Sequence, residues 1–246
     1  MKTKESHFMI GTSGWFYDHW KGVFYPENLP KKEWFQYYLR YFQTVEINAT
    51  FYRRFKDQTY FNWANQVAEG FTYVLKVPRI ITHRKFLKNC SEDIREFSRS
   101  ASLLGNKLGL LLLQLAPQTP YDPELLKNVV HSFNNSRIVA IEFRDKKWLT
   151  GEIKKILIDA GAVFCNVDSP KLRCLDWITS EIAYIRLHGR TQWYRYNYSD
   201  NELEEIANIA KGFIGEGAKK IYIFFNNDFE GHAPNNAQRL IEFLVH

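Results

Sequence analysis

Cysteine is scarce in this sequence, with three residues in 246 (Cys90, Cys165 and Cys174) and no Cys-x-x-Cys pair. This pattern fits neither a disulfide framework nor a zinc ribbon, so we expect a reducing, cytoplasmic environment. The opening residues, MKTKESHFMIGTSG, contain no apolar segment typical of a signal peptide. The longest apolar run, LGLLLLQLA, is far shorter than the ~20 residues of a membrane-spanning helix, so we expect no membrane partner.

Several catalytic signatures are also absent. The chain contains no His-Glu-x-x-His, Gly-x-Ser-x-Gly, Walker A or Gly-x-Gly-x-x-Gly motif. Only His188 falls at the end of a predicted strand, which argues against a nuclease with three zinc ions. A divalent cation, Mg²⁺ or Mn²⁺, held by Glu46, Glu142 and Asp168 is left open as a cofactor. A retaining glycosidase is left open as well, since it needs two carboxyl groups ~5 Å apart.

The composition that is present describes a soluble α/β protein with a basic surface. Hydrophobic residues make up 45% of the chain, enough for a sizeable core, and the formal charge is +6. A basic balance is compatible with anionic ligands. Aromatic residues reach 16%, so their rings must either fill a core or line a stacking site.

Eight β-rich runs alternate with segments of helical periodicity. The runs are FMIGTS (8–13), TVEINATFY (44–52), FTYVLKV (71–77), LGLLLLQL (108–115), RIVAIEF (137–143), AVFCNVD (162–168), AYIRLH (183–188) and KIYIFFNN (220–227). The helical segments are Lys32–Phe42, Ile94–Leu104, Pro123–Phe133, Glu152–Ala160, Asp200–Phe213 and Asn235–Val245. The residues from Ser199 to Glu202 predict a capping box, and Gly105, Gly161 and Gly217 lie where helices are expected to end. This pattern predicts a single (β/α)8 barrel of the TIM type over residues 1–246, with a doubly wound open sheet as the alternative.

Polar residues concentrate at the ends of these strands, where a buried parallel strand is normally apolar. They are Glu46, Asn48, Lys76, Gln114, Glu142, Arg144, Asn166, Asp168, Arg186, His188, Asn226 and Asn227. Residues two apart on a strand share a face, so Arg186 points with His188, and Glu142 with Arg144. Catalytic groups of a TIM barrel come from this C-terminal end of the strands. The alternative is a structural ion-pair network that balances buried charges.

Two long loops carry most of the aromatic residues. GWFYDHWKGVFYPENLP follows strand 1, and GRTQWYRYNYSD, with Trp193 and Tyr198, follows strand 7. We expect both loops to meet over the C-terminal face, where aromatic rings suit sugars or bases and arginines suit phosphates. For the first loop a small aromatic core is an equal alternative.

The sequence also resembles the YecE-like family, known as domain of unknown function 72. The resemblance is carried by GTSGW with YPENLP, VEINATFYR, LKVP with ITH, LLLQLAP, IEFRDKKW, YIRLHGR, and FFNND with PNNA, which span Gly11 to Ala237. It implies a TIM-type barrel. The matching blocks contain Glu46, Asn48, Tyr52, Lys76, His83, Gln114, Glu142, Arg144, Trp148, Arg186, His188 and Asn226.

These patterns favour an enzyme, a hydrolase or an isomerase, acting on a polar anionic small molecule such as a sugar phosphate or nucleotide derivative. The expected acid/base residues are Glu46, Glu142 and His188. The expected substrate-binding residues are Asn48, Tyr52, Lys76, Gln114, Arg144, Arg186, Trp193, Tyr198 and Asn226. A nucleic-acid-binding barrel, with or without nuclease activity, and a module that binds a metabolite without turnover are the alternatives.

Overall fold

The computed structural model describes residues 7–245. The first six residues, part of the segment inspected for a signal peptide, and His246 lie outside this range. The strands are β1 (Phe8–Thr12), β2 (Thr44–Ile47), β3 (Thr72–Lys76), β4 (Leu108–Gln114), β5 (Val139–Glu142), β6 (Val163–Asp168), β7 (Ile182–Leu187) and β8 (Lys220–Phe225). Each of the eight predicted runs thus contains a strand, and the strands belong to an eight-stranded sheet.

An α-helix follows each strand except β6, and two α-helices follow β2. The helices are α1 (Trp34–Tyr38), α2 (Ala49–Tyr52), α3 (Asp57–Asn65), α4 (Ser91–Ser102), α5 (Pro123–His131), α6 (Gly151–Ala160), α7 (Asp200–Gly215) and α8 (His232–Val245). A π-helical turn occupies Ile80–Arg84, and 3-10 turns occupy Asp18–Trp20, Lys31–Glu33, Gly105–Lys107, Ser136–Ile138, Lys146–Trp148 and Phe229–Gly231. None of the helices in the described part of the chain is long and apolar enough to cross a bilayer.

The second predicted strand is too long in the sequence-based assignment. It was expected to continue to Tyr52, but β2 ends at Ile47 and the next residues turn into α2. Asn48 already has helical backbone angles (φ −82°, ψ −16°). The Thr50 hydroxyl fixes the turn, because its Oγ1 lies 2.6 Å from the Lys76 carbonyl oxygen and 3.1 Å from that of Ile47. The β-branched and aromatic residues after Ile47 had favoured a strand.

The helix predictions need two further corrections. The segment predicted from Lys32 to Phe42 is α-helical only over Trp34–Tyr38, after a 3-10 turn. Helix α3 was not predicted, because its sequence, DQTYFNWAN, presents only a weak apolar stripe. By contrast, the capping box predicted before α7 forms, with Ser199 and Glu202 each accepting a hydrogen bond from the other's backbone N–H.

The chain divides into two compact units, and the first contains the described residues up to Val45 together with 166–245. In this unit β8 pairs in parallel with β1 on one side and with β7 on the other. Helix α8 packs on β1 and β8, and α7 packs beside α8. The expectation of a single domain over the whole chain stays a prediction.

The loop after β1 builds an aromatic core within this first unit. Trp20, Phe24 and Tyr25 are buried, and Tyr25 stacks on Trp34 with ring centroids 4.7 Å apart. Trp15 and Tyr17 are half-buried, and Phe16 has 58% of its surface exposed. The structure therefore shows the small-core alternative for three of the six rings of this loop.

The second unit covers residues 46–165 and holds the parallel strands β3, β4 and β5 with the start of β6. Strand β4 is its centre, since the side chains of residues 110–113 are almost completely buried. A parallel strand with neighbours on both edges and packing on both faces is expected to be apolar throughout, as LGLLLL is. Helix α6 ends at Gly161, whose φ of 65° is a left-handed conformation that glycine adopts without strain.

Candidate functional site

Glu142 is the fully buried carboxylate at the end of β5, in the second unit. Strands β4 and β5 place Gln114 directly beside it, and Gln114 Nε2 donates to Glu142 Oε1 over 2.8 Å. Arg144 Nε pairs with the same oxygen, so the predicted sharing of one side by Glu142 and Arg144 is confirmed. A carboxylate bound by a guanidinium and an amide donor is stabilised in its ionised form. This arrangement suits Glu142 to holding charge in place more than to accepting a proton.

Lys76 and His83 both contact the ring of Phe51. Lys76 Nζ, at the end of β3, lies 4.3 Å from the centroid of the Phe51 ring. The His83 ring packs edge-on against Phe51, with centroids 5.0 Å apart and planes at 88°. The Thr82 hydroxyl lies 2.8 Å from His83 Nδ1 and orients the imidazole. We call Phe51, Lys76, His83, Glu142 and Arg144 the His83 cluster.

The electrostatic surroundings of His83 are dominated by cations. Burial lowers the pKa of the His83 imidazole below its ordinary value of 6.5, and the positive charges of Lys76, Arg144 and Arg79 lower it further. Glu142 opposes them with a smaller effect. A histidine with a lowered pKa is neutral near pH 7, so it can accept a proton while its neighbours stay positive.

The backbone that carries His83 departs from regular structure. Ile80–Arg84 forms a π-helical turn, a conformation often found at functional sites. Directly after it Phe86, Leu87 and Asn89 have positive φ angles of 47°, 71° and 47°. Such angles cost on the order of 1 kcal/mol or more each for residues other than glycine, and they persist where the surroundings enforce them. The turn therefore holds His83 in a position that a regular helix would not provide.

Arg186 and His188 form the corresponding cluster of the first unit. Both are fully buried at the end of β7, and Arg186 NH1 lies 3.4 Å from His188 Nε2. The predicted shared side of these residues is confirmed by this contact. The Asn226 amide lies 3.0 Å from His188 Nδ1, and the Trp193 ring packs on the imidazole at 5.3 Å. We call Arg186, His188, Trp193 and Asn226 the His188 cluster.

His188 has a polar neighbour at each ring nitrogen. A guanidinium only donates hydrogen bonds, so the Arg186 contact is favourable when His188 Nε2 carries no hydrogen. The Asn226 side-chain amide lies on the Nδ1 side, with its Nδ2 atom facing the ring.

Asp168 belongs to a charge network of the first unit. Its oxygens bind Arg173 NH1 and Arg190 Nε, each at 3.0 Å, and Arg190 also contacts Glu202 and Glu205. Tyr198 is buried nearby in the chain, and its hydroxyl accepts a hydrogen bond from the Gly189 N–H. These contacts order the loop after β7. Asn166 acts similarly, since its side chain bonds the backbone of Leu175 and Trp177.

The two aromatic loops both contact the segment after β8. From the first loop, Trp20 Nε1 donates to the Asp228 carbonyl over 2.8 Å. From the second, the Tyr194 carbonyl accepts from the Phe229 N–H over 3.2 Å, and the Arg195 guanidinium lies 4.3 Å from the Phe229 ring centroid. Both aromatic loops therefore contact Asp228–Phe229, in agreement with the expectation that the loops meet.

The remaining candidates of the second unit lie along β2 and α2, except Trp148, which ends the 3-10 turn after β5. Glu46 is fully buried, and Tyr52 is 68% exposed. Asn48 Oδ1 and Trp148 Nε1 are buried without a hydrogen-bond partner among residues 7–245. Buried polar atoms of this kind are normally satisfied, so these two call for a water molecule or a ligand.

Ligands for a metal ion are not grouped in the described part of the chain. No set of three or more His, Cys, Asp and Glu side chains within residues 7–245 is placed to hold a metal ion. The set of Glu46, Glu142 and Asp168 considered for Mg²⁺ or Mn²⁺ is therefore not supported by the geometry.

Solved structures establish the class of fold. A DUF72 family protein of Thermotoga maritima matches with a TM-score of 0.89 and 28% identity, covering 98% of this chain and 100% of that one. A DUF72 family protein of Enterococcus faecalis V583 has a TM-score of 0.83 at 20% identity, over 97% of this chain and 96% of that one. The chain has the TIM-type α/β fold with eight parallel strands, as the sequence predicted.

The family follows from the sequence comparison. Residues 9–246 match the family described as "Protein of unknown function DUF72", and the chain belongs to it. UPF0759 protein YunF of Bacillus subtilis (strain 168) is 24% identical over 96% of this chain and 94% of YunF. UPF0759 protein YecE of Escherichia coli (strain K12) is 33% identical over 78 residues, which are 32% of this chain and 29% of YecE. The predicted resemblance is thereby confirmed.

Sequence reasoning left several residues out of the candidate site. His83 was noted only as part of a matching block, and Arg53, Arg79 and Arg84 were not considered. All four lie in segments that follow β2 and β3, beyond the polar strand ends. The signal that would have found them is the density of cations in YRR and PRIITHR, directly after two polar strand ends.

Proposed function

We propose that this protein is an enzyme that acts on a polar, anionic small molecule by acid/base chemistry at the His83 cluster. The observation that carries the proposal is the packing of His83 and Lys76 on the ring of Phe51. Burial and the charges of Lys76, Arg144 and Arg79 lower the pKa of His83. Such a combination offers a proton acceptor and stabilisation of negative charge in the same place.

The roles of the residues follow from their contacts. His83 transfers the proton, with its ring oriented by Thr82 and packed on Phe51. Lys76 and Arg144 stabilise negative charge on the substrate. Glu142, expected from the sequence to be a base, serves to position Arg144, because Arg144 and Gln114 already bind its Oε1.

Anion binding and protonation of His83 are coupled in this proposal. Burial is the largest cause of the lowered pKa of His83, and three cations opposed by one carboxylate add to it. An anion bound among these cations offsets their effect and raises the pKa of His83. The enzyme therefore takes up a proton when the anion binds, and His83 becomes the acid for the next step of a hydrolase or isomerase reaction.

An NMR titration of the histidine side chains tests the coupling. We expect the pKa of His83 to rise when phosphate or sulfate is added, while the ring signals of His131, an exposed histidine of α5, do not move on addition of the anion. Assignment uses His83→Asn and the matched control His131→Asn. An unchanged His83 pKa at saturating anion would contradict the proposal.

Turnover is measured on a panel of sugar phosphates and nucleotides by ³¹P and ¹H NMR. Loss of a general acid/base lowers the rate by about 10²–10⁴-fold, which is the effect expected of His83→Asn. His131→Asn is expected to keep the wild-type rate. If His188→Asn abolishes turnover and His83→Asn does not, the chemistry belongs to the His188 cluster and the proposal is wrong.

A further inference from the structure

A pocket of the second unit adjoins the His83 cluster at Phe51. Its cavity volume is about 210 Å³, below the roughly 300–1,000 Å³ of sites that enclose a drug-sized ligand, so a small molecule is only partly enclosed there. Four arginines and one aspartate carry its charged lining: Arg53, Arg54, Arg79, Arg84 and Asp93. The lining therefore has a formal charge of +3.

The one acid of the pocket does not balance this charge. Asp93 is already bound by Lys85 Nζ at 2.6 Å, and Arg54 lies 3.7 Å from it. Arg54 is engaged more closely by Glu96, at 2.6 Å. The excess positive charge therefore comes from the other three arginines.

Arg53, Arg79 and Arg84 form no ion pair with any carboxylate among residues 7–245. Arg53 follows α2, whereas Arg79 and Arg84 flank and end the π-helical turn. Three arginines from two separate segments thus line one pocket without an ion-pair partner among the described residues, and the Arg53 guanidinium lies 4.5 Å from the Phe55 ring centroid. Their mutual repulsion is relieved when an anion binds, and guanidiniums match the oxygens of phosphate in pairs.

An aromatic ring is exposed at the same pocket. Tyr52 lines it and is 68% exposed, although its neighbour Phe51 is partly buried against Lys76 and His83. An open ring face beside guanidiniums can stack on a flat heterocycle, which a sugar phosphate alone does not have.

We propose that this pocket, which we call the arginine pocket, binds a nucleoside phosphate with its phosphate on Arg53, Arg79 and Arg84 and its base on Tyr52. That this ligand is the substrate rests on the proposed function, because Phe51 connects the pocket to His83. A mononucleotide is favoured over a nucleic-acid strand. The carboxylates of Asp93 and Glu96 on α4 border the arginines and would repel the further phosphates of a strand.

Calorimetric titration with adenosine monophosphate tests the pocket, with ribose 5-phosphate, inorganic phosphate and adenosine as comparison ligands. We expect adenosine monophosphate to bind most tightly, since it alone uses both the arginines and Tyr52. Replacing any one of the three arginines by glutamine should weaken its binding about tenfold, the effect of losing a hydrogen bond to a charged group. Arg95→Gln is the matched control, because Arg95 is 66% exposed, pairs with Glu92 and does not line the pocket.

The tyrosine has its own pair of variants. Tyr52→Ala should weaken binding of adenosine monophosphate about tenfold and leave that of inorganic phosphate unchanged, because only the base stacks. Tyr52→Phe keeps the ring and should bind like wild type. Thermal melts confirm that each variant is folded, which is expected because Tyr52 and the three arginines are exposed.

Three outcomes would overturn the inference. Equal binding of ribose 5-phosphate and adenosine monophosphate removes the role of Tyr52, and wild-type affinity in the arginine variants removes the phosphate site. Salt-sensitive binding of a single-stranded oligonucleotide without binding of adenosine monophosphate assigns the pocket to nucleic acid instead. The proposed function is judged separately, by whether phosphate shifts the pKa of His83 in the wild-type protein and by whether His83→Asn loses turnover.

Discussion

Removing the Arg144 guanidinium tests whether the charge pair on β5 supports the fold. Glu142 is fully buried and the Arg144 side chain is only 14% exposed, so solvent screens the pair poorly. Breaking a buried ion pair from one side costs about 3–5 kcal/mol. Gln114 still donates to Glu142 in Arg144→Met, which places the expected loss at the lower end, about 3 kcal/mol.

Urea and thermal unfolding measure this loss directly. For a chain of this size about 3 kcal/mol lowers the melting temperature by about 6–12 °C. The control Arg95→Met breaks the exposed pair with Glu92, which is worth at most about 1 kcal/mol. Combining Arg144→Met with Glu142→Gln should recover part of the stability, because the unbalanced buried charge is then removed.

The same variant carries an electrostatic prediction. Arg144 is one of the cations that lower the pKa of His83, so this pKa should rise in Arg144→Met. A loss of stability no larger than that of Arg95→Met would refute the reasoning that the buried pair is poorly screened. An unchanged His83 titration would refute the assignment of Arg144 to the His83 cluster.

Three further predictions concern the pH dependence of stability, the charge network of Asp168 and the aromatic core after β1. Below pH 6.5 the unfolded chain binds a proton at His83 before the folded chain does, so the free energy of unfolding falls as the pH falls through this window. His83→Asn should make this fall smaller in urea titrations at several pH values. An identical slope would contradict the prediction. Arg190→Ala should cost about 2–3 kcal/mol of stability, because the Arg190 side chain is 17% exposed and binds a buried carboxylate. Arg173→Ala should cost less than about 1 kcal/mol, because that side chain is 56% exposed. Equal losses would argue against this network. In thermal melts Trp20→Ala should cost about 3–5 kcal/mol of stability and Phe16→Ala less than about 0.5 kcal/mol, because only the Trp20 ring is buried. The reverse order would exclude an aromatic core in the loop after β1.

Local chemistry explains which predictions from the sequence succeeded. The apolar strands, the capping box of α7 and the helix end at Gly161 depend on residues close in the chain, so their patterns are visible without a fold. The shared sides of Arg186 with His188 and of Glu142 with Arg144 follow from the two-residue period of a strand. The failures occurred where a contact distant in sequence overrides local preference, as when Thr50 bonds the Lys76 carbonyl and β2 gives way to α2.

The sequence by itself determined the alternation of strands and helices, the TIM-type class, the family and the polar strand ends, because each depends on periodicity or on short motifs. Only the tertiary structure decided what those polar residues do. Arg144 and Gln114 bind an oxygen of Glu142, and Arg190 binds Asp168. The cations around His83 come from the ends of β3 and β5 and the residues that follow them. A charge has no assigned partner in a linear sequence, since Coulomb interactions and burial act through distances that exist only once the chain has folded.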